Sequence, residues 1–316
     1  MLSRAEFRGA ILALGGVVAF ILIVTSISPG LPGELLLQTL RFHLVALGLV
    51  LALLMAVFGA KWRATLFLVF LAGAFAHGAF YVWEFQMRRE APLGPLQAEM
   101  TFLNYNVLSG NQTASEAANY IVTSAPDVAL IMETPGVVEY LPEIETVLPY
   151  RLGCDRVATC DISLFSRYPI EGGQLLEIPP FRRARLVIAP MTVDGAKLTV
   201  VGIHLSKPYF DEASLQELGY LRYALSKIEG PILLSGDFNS ALWSAPVARL
   251  GRAQELAPGP SYPATWPVEF GALGVPIDNM FTKGNARILD IAAGENSFGS
   301  NHRYLIARIG IYAPAP

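Results

Sequence analysis

The sequence predicts an α/β protein in two parts, a membrane segment of three apolar helices followed by a mixed strand-and-helix domain large enough for two sheets. Three observations carry this reading. Hydrophobic residues fill 53% of the 316 positions and charged residues only 16%, an apolar excess over an ordinary soluble domain that excludes disordered and collagen-like chains. The excess is concentrated in the first 90 residues, where three long runs lack Asp, Glu, Lys and Arg. The remainder alternates short β-rich runs with amphipathic ones, separated by turn residues.

The runs cover 9–27, 42–60 and 64–83. At 1.5 Å per helical residue each reaches about 30 Å, the depth of a bilayer's hydrocarbon core, so residues 1–90 read as a membrane domain with three spanning helices. A signal peptide for the first run and a buried helical hairpin for the other two are the competing readings; the first run outlasts an ordinary signal core, and the other two have no soluble core around them. Arg4, Arg8, Lys61 and Arg63 fall on one side of the expected spans and Arg41, Arg88 and Arg89 on the other. This balance favours an internal amino terminus and places everything after Arg89 outside the cytoplasm. Cys154 and Cys160 are the only cysteines, and a pair this close suits a disulfide in an oxidising compartment, with two free thiols as the alternative.

Ala91-Pro92-Leu93-Gly94-Pro95 breaks any continuing helix, and residues 91–97 read as a linker. Strands are expected at 100–107, 128–132, 162–165, 185–193, 197–205, 232–235, 277–281 and 303–309, and helices at 114–123, 137–148 and 212–228. The first 91 residues hold seven of the 23 Lys and Arg and four of the 26 Asp and Glu, which leaves the rest of the chain at a net charge of −6. A nucleic-acid-binding domain shows the opposite balance. Arg182, Arg183 and Arg185 form the one basic cluster; a phosphate contact and a solvated strand edge are both open readings for it.

Chemistry gathers at strand ends. Asn106 closes the first expected strand, Glu133 the second and His204 the fifth; Asp237 and Asn239 follow the sixth within Gly-Asp-Phe-Asn, Asp278 sits in Ile-Asp-Asn, and His302 ends Ser300-Asn301-His302. A carboxylate at such a position can hold an attacking water, Glu133 offers a hard oxygen to Mg²⁺ or Mn²⁺, and two imidazoles near a cation can move protons or stabilise phosphoryl charge. Each residue alone has an ordinary structural explanation as a turn or satisfied polar group.

The ordered set resembles the endonuclease/exonuclease/phosphatase superfamily, the DNase I-like phosphoesterases, over about residues 98–312. Ser166-Arg167-Tyr168-Pro169-Ile170, Gly202-Ile203-His204-Leu205 and Ala264-Thr265-Trp266-Pro267 are similar to further segments of that family. The resemblance implies a four-layer αββα sandwich of two mixed sheets and a metal-dependent attack on a phosphate ester or anhydride. It casts Glu133 as direct metal ligand, Asn106 as support for the metal or the phosphate, Asp237 as the residue that aligns water, and Asn239 as a contact to the scissile phosphate. His204 would act on the phosphate or leaving group, and Asp278 would orient His302. Arg185 and Trp266 join the expected substrate contacts. The family pattern has Asp where this chain has Asn301, so one anionic metal ligand becomes an amide, which can still offer an oxygen.

Three helices followed by an external phosphoesterase domain look like the bacterial branch of glycopeptide-resistance membrane proteins, for which an undecaprenyl-pyrophosphate phosphatase activity has been proposed. The expected protein is therefore a multi-pass protein of the bacterial plasma membrane that hydrolyses an isoprenoid or other lipid phosphate outside the cytoplasm. A membrane-tethered nuclease or phosphodiesterase is the alternative enzyme, with nucleic acid the less favoured substrate on charge. A catalytically silent binding or sensory domain is the alternative outside enzymology.

Overall fold

The computed structural model describes residues 3–91, 93–209 and 212–315; Pro92, part of the expected linker, lies outside them. Four helices open the chain: α1 (Arg4–Ile27), α2 (Glu34–Thr39), α3 (Arg41–Val57) and α4 (Lys61–Arg89). A reciprocal cap starts α1, with Glu6 N–H donating to Ser3 Oγ and Ser3 N–H donating to Glu6 Oε2. Ile11, Leu22, Val45, Met55 and Leu71 pack α1, α3 and α4 together. Gly15 and Gly48 allow this close approach, since a Cβ on either would run into Met55 or Leu71. The outer faces stay apolar, with Leu14, Phe20, Leu53 and Val69 exposed, the pattern that suits hydrocarbon rather than water.

The expectation of three spans is met only in part. Among the described residues two helices, α1 and α4, are long and apolar enough to cross a membrane, while α3 has 17 residues and reaches only about 26 Å at 1.5 Å per residue. Its apolar run was expected to stay helical to Ala60, but the chain turns after Val57, with Gly59 at φ +87°. Arg41, counted above as a loop charge, is buried. Its guanidinium donates to Thr25 O and Ser26 Oγ, both at 3.0 Å; it packs helices together and carries little weight in the orientation argument.

The rest of the chain adds β1 (Leu96–Asn106), α5 (Ala114–Ser124), β2 (Val128–Met132), α6 (Leu141–Glu145), β3 (Tyr150–Leu152), β4 (Ile162–Ser166), β5 (Gln174–Ile178), β6 (Arg183–Val193), β7 (Ala196–His204), α7 (Ala213–Leu225), β8 (Ile232–Asp237), α8 (Ala245–Ala253), β9 (Ala257–Pro258), β10 (Asp278–Lys283), β11 (Ala286–Ala293) and β12 (Leu305–Tyr312). Two six-stranded mixed sheets result, ordered β11-β12-β1-β2-β4-β3 and β5-β6-β7-β8-β10-β9, with one parallel pair in each, β1–β2 and β7–β8. Met100, Phe102, Leu130 and Leu164 of the first sheet face Val187, Ala189, Val200 and Leu233 of the second. On the outer faces Leu103, Tyr105 and Ile131 meet Ala117, Ile121 and Ile144 of α5 and α6, and Val201, Ile203 and Leu234 meet Leu218, Leu221, Val247 and Leu250 of α7 and α8. Helix, sheet, sheet and helix stack as four layers. Burial on both faces explains why β2 and β8 read as unbroken apolar runs.

The helix expected at 137–148 is instead a 3₁₀ segment, Thr134–Tyr140, followed by α6; Pro142 lacks the N–H that a continuous helix would need and restarts it. Helix α4 does not stop at the end of its apolar run. Its last turns enter the second sheet's outer core, where Phe85 is fully buried and stacks on Phe281 at 5.3 Å. Arg88 donates to Leu256 O at 2.9 Å, and Glu84 accepts from Arg252 at 2.6 and 2.7 Å.

Candidate active site

Strand register brings the polar residues to one edge. His204 and Asp278 are the ladder partners of Asp237 on its two sides, and Asn106 is paired with Met132, next to Glu133. Gly236 lets β8 approach β7 here, because a Cβ would collide with the Ile203 carbonyl. Asn239 and Glu133 both adopt positive φ, 49° and 54°, strained backbone of the kind found where side chains are aimed by a tight exit from a strand.

Asp237 is buried at the centre. Its Oδ2 accepts from Asn106 Nδ2 at 3.1 Å and lies 3.8 Å from Nε2 of both His204 and His302, while Oδ1 accepts from Asn239 N–H at 2.8 Å. Each imidazole is backed by a carboxylate. His302 Nδ1 meets Asp278 Oδ2 at 2.8 Å, and His204 Nδ1 meets Asp161 Oδ1 at 2.5 Å. Ionised carboxylates only accept, so both rings keep the Nδ1 proton and turn Nε2 toward Asp237. Burial alone would discharge the rings, but their carboxylates outweigh it, so that His204 is raised above its ordinary pKa and His302 is pushed up to about 9. Burial and the nearby Asp278 raise Asp237 in turn, against the two imidazoles and the Asn239 N–H.

Asn106 ties this group to Glu133, donating to Oε1 at 3.3 Å, and Glu133 Oε2 accepts from Ser109 N–H at 2.8 Å. Burial opposes the Glu133 charge, yet the Ser109 N–H, His204 and Asn106 hold its pKa below the usual carboxylate range. Ser300 Oγ donates to Asn106 O at 2.6 Å, which fastens the turn carrying Asn301 and His302 to the end of β1. Asn301 Oδ1 is buried without a hydrogen-bond partner, as is Asp278 Oδ1. Oxygens left unpaired in this way are costly, and a bound cation relieves them. Oxygens from Glu133, Asn301, Asp237 and Asp278 make a donor chemistry that fits a hard divalent ion. Ligand atoms of Asp237, Asp278 and His302 also lie within 4.8 Å of one another, but the Asp278–His302 hydrogen bond already occupies one carboxylate oxygen and one ring nitrogen.

The two further residues expected to contact substrate lie in different surroundings. Arg185 is not a solvated strand edge: it is 8% exposed, its Nε and Nη2 donate to Asp161 Oδ2 at 3.0 and 2.9 Å, and it lines the cleft beside Glu133 and His204. Trp266 is half-buried and bridges through its backbone to Val275.

Two site residues escaped sequence reasoning. Asp161 has an accessible signal, since it stands directly before an apolar strand, as the other carboxylates stand at strand ends. It also follows Cys160, which is joined to Cys154 by a disulfide. Glu217 of α7 carries no such signal; it accepts from Ser206 N–H and Oγ at 2.6 and 2.8 Å and fixes the chain leaving His204. A cleft of about 340 Å³ opens beside Glu133, Asp161 and His204, with Arg183 and Lys207 on its wall.

Two loops next to the site rest on the amino-terminal helices. After Asn239, Ala241 N–H donates to Thr39 Oγ1 at 3.1 Å, Trp243 Nε1 to Thr39 O at 3.1 Å and Ala245 N–H to Gln38 Oε1 at 2.8 Å. Ahead of Asp278, Leu273 O accepts from His43 Nε2 at 2.8 Å.

Residues 103–302 match the Endonuclease/Exonuclease/phosphatase family. No curated protein matches the chain. Among solved structures, D. rerio TDP2 complexed with a single-strand DNA product is 18% identical, with a TM-score of 0.55 over 67% of this chain and 98% of its own. A Staphylococcus aureus beta toxin mutant with bound magnesium ions is 14% identical, with a TM-score of 0.50 over 68% and 100%. Sphingomyelinase C from Streptomyces griseocarneus is 16% identical, with a TM-score of 0.50 over 67% and 99%. At these identities the likeness is one of fold.

Proposed function

Because the chain belongs to the Endonuclease/Exonuclease/phosphatase family, we propose that it is a membrane-anchored hydrolase that attacks a phosphate ester or anhydride with a divalent ion, Mg²⁺ or Mn²⁺. The observation that carries this reading is Asp237 set 3.8 Å from two imidazoles, each backed by its own carboxylate. Asp237 accepts the proton of the attacking water, and its raised proton affinity suits that task. His302, held cationic by Asp278, faces the charge that builds on the phosphoryl oxygens. His204, steadied by Asp161, gives a proton to the leaving oxygen. Asn239 spends one amide hydrogen on Leu205 O at 2.8 Å and offers the second to the phosphate. Glu133, supported by Asn106 and joined by Asn301, would hold the ion, which supplies further neutralisation of phosphoryl charge.

The substrate in this reading is an isoprenoid or other lipid phosphate, met outside the cytoplasm of a bacterial cell by a domain that begins after residue 97. Support comes from the acidic balance of the domain, from the Cys154–Cys160 disulfide, which suits an oxidising compartment, and from the apolar outer faces of α1, α3 and α4. Arg183 and Lys207 on the cleft wall favour a second reading, a nuclease or phosphodiesterase. Purified protein with Mg²⁺ or Mn²⁺ is to be given undecaprenyl pyrophosphate, plasmid DNA and a soluble phosphodiester in parallel. Phosphate release from the lipid, abolished by Asp237→Ala, is the expected result; cleavage of DNA alone moves the second reading to first place, and no turnover of any substrate refutes both.

A further inference from the structure

We infer that the short 3₁₀ segment Val268–Leu273 is immersed in the bilayer surface, so that the catalytic edge faces the membrane and takes its phosphate from a lipid in the adjoining leaflet. This rests on the phosphoesterase reading and on the assignment of α1, α3 and α4 to the bilayer. The carrying observation is the hydrogen bond from His43 Nε2 to Leu273 O. His43 stands in the first turn of α3, within the apolar run 42–60, so its partner sits at the depth where that run begins.

The same loop displays large apolar side chains. Leu273 is 78% exposed and Phe270 64%. Apolar side chains left in water forgo the burial that a neighbouring hydrocarbon phase supplies. The patch is continuous with the membrane helices through the His43 contact, which selects lipid as its occupant over a soluble partner.

Chain direction points the same way. Helix α4 leaves the membrane segment and runs past Phe281, β1 then begins at Leu96, and it returns to end at Asn106 on the catalytic edge. On the second sheet β8 ends at Asp237, and the chain contacts Thr39 of α2 only four residues later, at Ala241. Asp278 follows Leu273 by five residues. The strand ends that carry the chemistry are therefore the ends nearest the membrane segment.

The full chain provides the test. With Cys154 and Cys160 joined, Leu273→Cys introduces a single reactive thiol, and Glu229→Cys does so beyond the opposite end of β8. Each variant is labelled with an environment-sensitive fluorophore and reconstituted in phosphatidylcholine–phosphatidylglycerol vesicles with or without brominated acyl chains. Quenching at position 273 and none at 229 is expected; equal quenching at both, or none at 273, overturns the inference. In parallel, Phe270→Asp combined with Leu273→Asp is expected to lose at least about tenfold in turnover of a vesicle-borne lipid phosphate, with hydrolysis of bis-p-nitrophenyl phosphate unchanged. Equal rates on the lipid overturn it as well. Quenching of the label at position 273, together with a wild-type protein that hydrolyses neither substrate, refutes the phosphoesterase reading and leaves the immersed loop standing.

Discussion

Replacing Asp278 by Asn tests the logic of the site most directly. His302 is 5% exposed as a residue, its Nδ1 lies 2.8 Å from Asp278, and its pKa is pushed from an ordinary 6.5 to about 9. Burial acts against that rise, and Asp278 is the foremost group that opposes burial. The rise is worth about 3 kcal/mol at 1.36 kcal/mol per unit. A raised folded-state pKa means that the folded protein binds the proton more tightly, so this stabilisation is fully present below the unfolded pKa near 6.5 and disappears as pH climbs through about 9. Asp278→Asn removes the main support and lets burial pull the imidazole down. Denaturant unfolding in the presence of a chelator is expected to show a loss of up to about 3 kcal/mol at pH 6, shrinking toward zero near pH 10. The alkaline limb of phosphoester hydrolysis is expected to move to lower pH in step. Equal losses at both pH values, with an unmoved alkaline limb, would refute the reasoning.

Three further outcomes follow from the same geometry. Asn301→Asp places a charge where a buried amide oxygen lacks a donor, and Mg²⁺ affinity by calorimetry is expected to tighten by roughly tenfold or more; unchanged affinity would remove Asn301 from the ion's surroundings. Replacing Cys154 and Cys160 together by Ser is expected to cost about 2 kcal/mol for so short a loop and to lower turnover, because Cys160 adjoins Asp161; full activity would show that the bridge does not position the Asp161–His204 pair. A reporter joined after Arg89 is expected to be active only when exported, and activity confined to the cytoplasm would reverse the orientation.

What the sequence revealed of the site came from abrupt changes of character. Strands β1, β2, β7 and β8 are buried on both faces, so their apolar runs are visible, and the Asn, Glu, His or Asp at each end stands out against them. Asp161 shares that strand-end position, directly before β4, but its partners His204 and Arg185 are brought to it by the second sheet, a contact that no local pattern encodes. The same contact buries Arg185 against Asp161 on the wall of the cleft. The half-exposed edge strand β5 and the interrupted β11 lack a clean alternation, and both were missed. Composition showed α3 as one long apolar run, but backbone turning at Gly59 set its length. Arg41 was misjudged for a similar reason: its burial follows from packing across α1 and α4.

Helix α4 spans 29 residues, a rod of about 43 Å at 1.5 Å per residue, and its last turns are part of the folded domain's core. Cutting the chain at residue 91 to obtain a water-soluble fragment would withdraw Phe85 from between Phe238, Phe281 and Gly251, a void on the scale of a Phe→Ala change, about 3 to 5 kcal/mol. A durable soluble fragment must therefore keep the last turns of the helix and begin before Glu84. With α4 anchored in a bilayer as proposed, the rod leaves no swivel between membrane and site. Helices answer a change in bilayer thickness by tilting, and here a tilt of α4 turns the whole sandwich with it, like a needle fixed to its shaft.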